Sequence, residues 1–236
     1  MMARKPLLLL VFIVASLVQI SPSPLHALSL ETAGLVSASL PNIINPILPG
    51  VQADFDGDGR TEEIFLDNGK AVIRSAGRFR WQSPATWQVI QAGITDLNRD
   101  HSPEVALLVW RPFRPWPVDK WLPQGGRIAA FQDKNGYSCQ LILIGWVNGG
   151  YREVWAGSAL AEPVRSFSAV DLNGDGWQEL ITLEGSYAAP RSAPADMLKA
   201  WEWNGFGFSI VSKMNGQFDK MALVRSSHGQ ILILVP

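Results

Sequence analysis

"DLNGDGWQEL", residues 171–180, sets Asp171, Asn173 and Asp175 at alternate positions and follows them four residues later with Glu179. Carboxylates crowded to within about 4 Å repel by several kcal/mol at an intermediate effective dielectric, so such a cluster calls for a compensating cation. Two further stretches carry the pattern in register, "DFDGDGRTEEI" at 54–64 and "DLNRDHSPEV" at 96–105. Positions 1, 3, 5 and 9 are Asp54, Asp56, Asp58 and Glu62 in the first copy and Asp96, Asn98, Asp100 and Glu104 in the second. The third copy has Asp171, Asn173, Asp175 and Glu179. A single copy reads equally well as an acidic β-turn, because Asp, Asn and Gly are ordinary turn residues. Turn chemistry alone does not require the 1-3-5 alternation, nor a Glu at position 9, three times over.

The donor set points to Ca²⁺ at up to three sites. Calcium takes six to eight oxygen ligands in flexible geometry, and alternate side chains of a tight loop can converge on it. Position 7 is expected to lend only its backbone carbonyl, which frees it to vary as Arg60, Ser102 and Trp177. Mg²⁺ demands stricter octahedral geometry and keeps more water. Zn²⁺ is disfavoured because no loop contains Cys and the only His is His101, at position 6.

The helix-loop-helix calcium motif needs a bidentate carboxylate at position 12, where this chain has Phe65, Leu107 and Thr182. Apolar residues instead flank each loop: "GVQA", "QAGI" and "FSAV" before, "EEIFLDN", "EVALLVW" and "ELITLEG" after. The loops are therefore expected to join strand to strand. Position 6 is Gly59, His101 and Gly176, which suits a left-handed backbone that Gly enters freely and His tolerates better than most residues.

Strand signals dominate the remainder, and no segment shows a convincing amphipathic helical period. The loops start 42 residues apart (54 to 96) and then 75 (96 to 171). Without an insertion the second interval approaches the roughly 40–50 residues of a four-stranded propeller blade. The pattern resembles the FG-GAP/VCBS repeat family, the calcium-loop β-propeller repeats of integrin α-subunits. That resemblance, carried by the three loops and covering about Gln52 to Gly185, implies a Ca²⁺-binding loop between the first two strands of each blade. Three loops are fewer than a seven-bladed ring implies. The expected fold is all-β: a small β-propeller of about four blades, with an open arc of blades or a β-sandwich-like arrangement as the alternative. The C-terminal "FDKMALVRSSHGQILILVP" reads as a fourth unit without acidic ligands, and "AGLVSASL" (33–40) is the strand expected to complete its sheet.

Composition sets the bounds. Of 236 residues, 47% are hydrophobic and 17% charged, a globular balance, and the net charge of −1 gives no support for nucleic-acid binding. Arg4 and Lys5, the apolar run Pro6 to Ile20 and "SPSPLHA" read as an export signal ending at Ala27, leaving 28–236 as the domain. The run is shorter than the ~20 residues of a spanning helix, so no stable membrane span is expected after cleavage, although an uncleaved anchor is the other reading. The destination is then periplasmic, secreted or cell-surface. Cys139 stands alone in an apolar run and is expected to be a small core residue.

Function is less legible. An insertion at 110–126, "WRPFRPWPVDKWLPQGG", interleaves Trp110, Phe113, Trp116 and Trp121 with Arg111, Arg114 and Lys120. It reads either as a plug for the ring or as a partner surface for a protein or glycan. Past residue 27 only His101 and His228 remain as histidines, and no phosphate cradle or zinc spacing occurs, which argues against an enzyme. A non-enzymatic, calcium-binding interaction or adhesion module is the expectation. A calcium-stabilised carbohydrate-active enzyme is the alternative, because paired carboxylates at glycosidase separation leave no sequence signature.

Overall fold

A computed structural model describes residues 24–41, 45–114 and 130–236. Seventeen strands form four antiparallel sheets arranged as a four-bladed β-propeller, with no helix among the described residues. The first blade is β4 (Gln52–Ala53), β5 (Glu62–Asp67), β6 (Lys70–Ser75) and β7 (Arg78–Gln82), paired in chain order. The second is β8 (Gln88–Thr95), β9 (Glu104–Pro112), β10 (Tyr137–Val147) and β11 (Gly150–Ala156). The third is β12 (Val164–Val170), β13 (Glu179–Glu184), β14 (Ala195–Trp203) and β15 (Phe208–Phe218).

The fourth blade joins the two ends of the chain. β1 (His26–Glu31), β2 (Gly34–Ala38) and β3 (Asn45–Ile47) come from the N-terminal side; β16 (Ala222–Arg225) and β17 (Ile231–Val235) come from the C-terminal side. The order is β2-β1-β17-β16-β3. The strand that pairs with the C-terminal hairpin is thus β1, with Ala27 opposite Leu234 and Leu28 opposite Ile233, rather than the expected 33–40 segment. That segment supplies β2, outside β1 in the same sheet. A boundary after Ala27 would divide β1, in which Ala27 and Leu28 are buried. Mutual pairing of the two ends leaves the C-terminal hairpin without an exposed edge.

Blade packing explains why the strands read as unbroken apolar runs. Successive side chains of a strand face opposite sides of its sheet, and on the second and third blades both sides are covered by neighbouring blades. On β9, Val105, Leu107 and Val109 pack with Ile64 and Ile73 of the first blade. The alternating Ala106, Leu108 and Trp110 pack with Phe167 and Leu180 of the third. The opposite face of that blade, with Ile181, Leu183 and Leu198, packs on Leu28 and Ile233 of the fourth. Near the axis the Gln91 amide spans two blades, donating to the Phe167 carbonyl at 2.7 Å and accepting from its N–H at 3.0 Å.

Candidate functional site

Each acidic loop follows the first strand of its blade and leads into the second: β4 to β5, β8 to β9 and β12 to β13. The local chemistry repeats. Asp54 accepts the N–H groups of Gly57 (2.8 Å) and Asp58 (3.1 Å) on Oδ1, and that of Gly59 (2.8 Å) on Oδ2. Asp171 does the same for Gly174 (2.7 Å) and Gly176 (2.9 Å), and Asp96 accepts from Asp100 at 3.1 Å. The side chain at position 3 accepts the position-5 N–H in every copy: Asp56 at 3.1 Å, Asn98 at 3.2 Å and Asn173 at 2.8 Å. The position-5 carboxylates in turn accept the position-7 N–H groups of Arg60 (2.9 Å), Ser102 (2.8 Å) and Trp177 (2.8 Å).

Backbone conformation repeats as well. Position 6 has positive φ in all three copies, at 82° for Gly59, 66° for His101 and 91° for Gly176. Position 4 shares it, at 72° for Gly57, 62° for Arg99 and 82° for Gly174. Sequence reading missed position 4, although Gly in two of three copies was the signal for it. The second loop therefore holds two non-Gly residues in a left-handed conformation that costs them about 1 kcal/mol or more each.

The position-9 glutamates are buried and act inward. Glu62 accepts the Phe55 N–H at 3.0 Å, Glu104 that of Leu97 at 2.7 Å, and Glu179 that of Leu172 at 2.9 Å. Phe55, Leu97 and Leu172, at position 2, point into the core, so each glutamate fastens the loop to a buried anchor. Burial pushes the Glu104 pKa up to about 7 and raises that of Glu179. Among the described residues, Glu62 Oε1 and Glu104 Oε2 are buried with no hydrogen-bond partner. A buried acceptor left unpaired costs about 1–3 kcal/mol, more when charged.

Two of the loops gather their carboxylates into groups that could hold a metal ion. Oxygens of Asp54, Asp56 and Asp58 lie within 4.8 Å of one another, and so do those of Asp96, Asp100 and Glu104. Asp171, Asp175 and Glu179 do not form such a group among the described residues. There the Asn173 amide donates to both Asp175 and Glu179, each at 3.2 Å. Loops two and three touch: the Asp96 N–H donates to the Gln178 side chain at 2.8 Å, and the rings of His101 and Trp177 lie 4.7 Å apart.

The residues expected to form a partner surface are divided by the structure. Trp110 is only 1% exposed, packed in β9 beneath Arg191, whose guanidinium lies 3.8 Å from the ring centre. Its position at the start of the insertion conceals that it is the last inward-facing residue of an alternating strand. Phe113 is half-buried at the hairpin end, and Trp116 and Trp121 lie outside the described residues. The insertion lies between β9 and β10, and the chain is described again from a turn at Ala130–Asp133. Beside it the 185–194 connection frames a cavity of about 950 Å³ lined by Trp110, Asp133, Glu162, Tyr187, Arg191 and Asp196. At the β14–β15 turn, Trp203 and Phe208 pack edge-to-face on Trp155, while Phe206 stands exposed.

These features define a four-bladed β-propeller with conformationally equivalent acidic loops at the first strand-to-strand corner of three blades. No family model matches the chain, and a search of curated proteins finds no match.

Proposed function

We propose that the protein is an exported, calcium-binding β-propeller that works without catalysis, as an interaction or adhesion module for a protein or glycan. The observation that carries the metal assignment is the pair of carboxylate triplets within 4.8 Å on loops of one conformation. The orphaned buried oxygen of Glu104, itself a member of the second triplet, supports it, because a hard cation supplies the partner that it lacks. Asp54, Asp56, Asp58 and Glu62 would hold one ion, and Asp96, Asn98, Asp100 and Glu104 a second. The third loop offers the corresponding set of Asp171, Asn173, Asp175 and Glu179. The backbone at Arg60, Ser102 and Trp177 completes the sets. Bound calcium neutralises the crowded carboxylates and ties the first two strands of a blade together.

The binding role rests on the architecture around the loops. The cavity beside the 185–194 connection offers planar and charged groups to a partner, with Tyr187 and Arg191 next to Asp133. Export rests on the N-terminal charge and apolar pattern. The test is to strip the protein with chelator and titrate Ca²⁺ while following thermal unfolding. A midpoint that rises with millimolar Ca²⁺ and returns with chelator supports the reading. An unchanged midpoint, with no heat of binding, defeats it. Capture experiments from the native extracellular fraction, with and without calcium, then test the interaction role.

A further inference from the structure

Arg99 occupies position 4 of the second loop, where the other two loops have Gly57 and Gly174. Its φ of 62° places it in a conformation that glycine adopts freely, so the side chain is retained there against a backbone cost. The guanidinium reaches the third loop. Nη2 lies 3.7 Å from Glu179 Oε1 in the third loop, and the group sits 5.9 Å from the Trp177 ring centre. Its Nε and Nη2 are buried and make no hydrogen bond among the described residues. A fixed positive charge therefore stands at the one loop whose carboxylates do not gather into a triplet. Loops two and three carry the same side chains at positions 1, 3, 5 and 9, so ligand identity does not distinguish them.

The first loop provides an internal comparison. Arg80 donates to Asp56 Oδ2 at 2.8 Å, yet Asp54, Asp56 and Asp58 remain within 4.8 Å of one another. An arginine bound to one ligand is thus compatible with a gathered site. Arg99 differs in facing the buried position-9 carboxylate, the only ligand that also fastens the loop to the core.

We propose that Arg99 serves as the third loop's cation, so that the chain takes two calcium ions instead of three. This inference rests on the calcium reading above and assigns its stoichiometry. A charge of +1 about 6 Å from a divalent ion disfavours that ion by a factor of about ten even at the dielectric of water. Arg99 also couples the two blades, since the residues beside it, Asn98 and Asp100, belong to the second loop's ligand set.

The test counts calcium ions on the chelator-stripped full chain by calorimetry and native mass spectrometry. Wild type is expected to take two. Arg99→Gly inserts the residue found at this position in the other loops, relieves the backbone and removes the charge. It is expected to take three, with the third loop's affinity raised about tenfold or more. Arg99→Lys keeps the charge and is expected to stay at two. A wild-type count of three, or an Arg99→Gly count equal to wild type, overturns the role of Arg99. A wild-type count of zero overturns the calcium reading beneath it.

Discussion

Replacing Glu104 by Gln should change stability in opposite directions with and without calcium. Glu104 is 2% exposed, with Oε1 accepting from Leu97 at 2.7 Å and from the Thr95 hydroxyl at 3.2 Å. Gln can keep the Leu97 bond through its own carbonyl. In the ion-free protein, burial moves the carboxyl from 4.5 to about 7, so the folded state holds a proton that the unfolded state has lost. Stability therefore falls as pH rises from roughly 4.5 to 7, and the ionised group at pH 8 costs about 3 kcal/mol. Glu104→Gln removes this cost. In chelator at pH 8 its midpoint should rise by roughly 6–12 °C, at the 2–4 °C per kcal/mol usual for this chain length. It should also show a shallower decline between pH 4.5 and 7 than wild type, with the remainder coming from Glu179, which burial also raises.

With calcium present the sign reverses, because the variant lacks a charged ligand. It forgoes ion-linked stabilisation of about 4.1 kcal/mol when calcium is at a thousand times its dissociation constant, more than the roughly 3 kcal/mol it gains in chelator. Differential scanning calorimetry of both proteins in chelator and in calcium measures all four midpoints. If Glu104→Gln destabilises equally in both buffers, Glu104 is a purely structural clasp and the argument fails.

Three further outcomes follow from the packing. Lys199→Met strands buried Glu184, now held by Lys199 Nζ at 2.7 Å and Thr182 at 2.6 Å, and should cost about 3–5 kcal/mol in urea unfolding. Adding Glu184→Leu should recover most of it, whereas equal losses in the single and double variants would count against an energetically important pair. Cys139 is fully buried, and burial pushes its thiol up to about 12, so iodoacetamide at pH 8 should leave the folded protein unlabelled and modify it only in denaturant. Rapid labelling of the folded chain would contradict this burial. Leu28→Ala, in the strand that joins the chain ends, should cost about 2–5 kcal/mol, while an unchanged denaturation midpoint would show that β1 does not close the ring.

The loops were legible because their chemistry is local. Position 1 captures N–H groups three to five residues ahead, so a nine-residue stretch contains most of what shapes it. The same locality made position 6 readable from Gly59, His101 and Gly176, and the absence of a helical period made the all-β class readable. Blade number came from counting: three loop units and a C-terminal hairpin, which the structure assembles as four blades.

What escaped depended on partners distant in sequence. Nothing near His26–Glu31 reveals that it will pair with Ile231–Val235, because that register exists only once three blades have brought the ends together. Trp110 reads as part of an aromatic, proline-rich insertion, and only the third blade, packed against β9, turns it into core.

Sequence alone thus determined the acidic corners and the strand-rich character, since both arise from contacts spanning a few residues. Tertiary structure decided which carboxylates gather, which strand closes the ring and where the Arg99 charge lands. Those outcomes depend on distances between blades, and the chain acquires such distances only by folding.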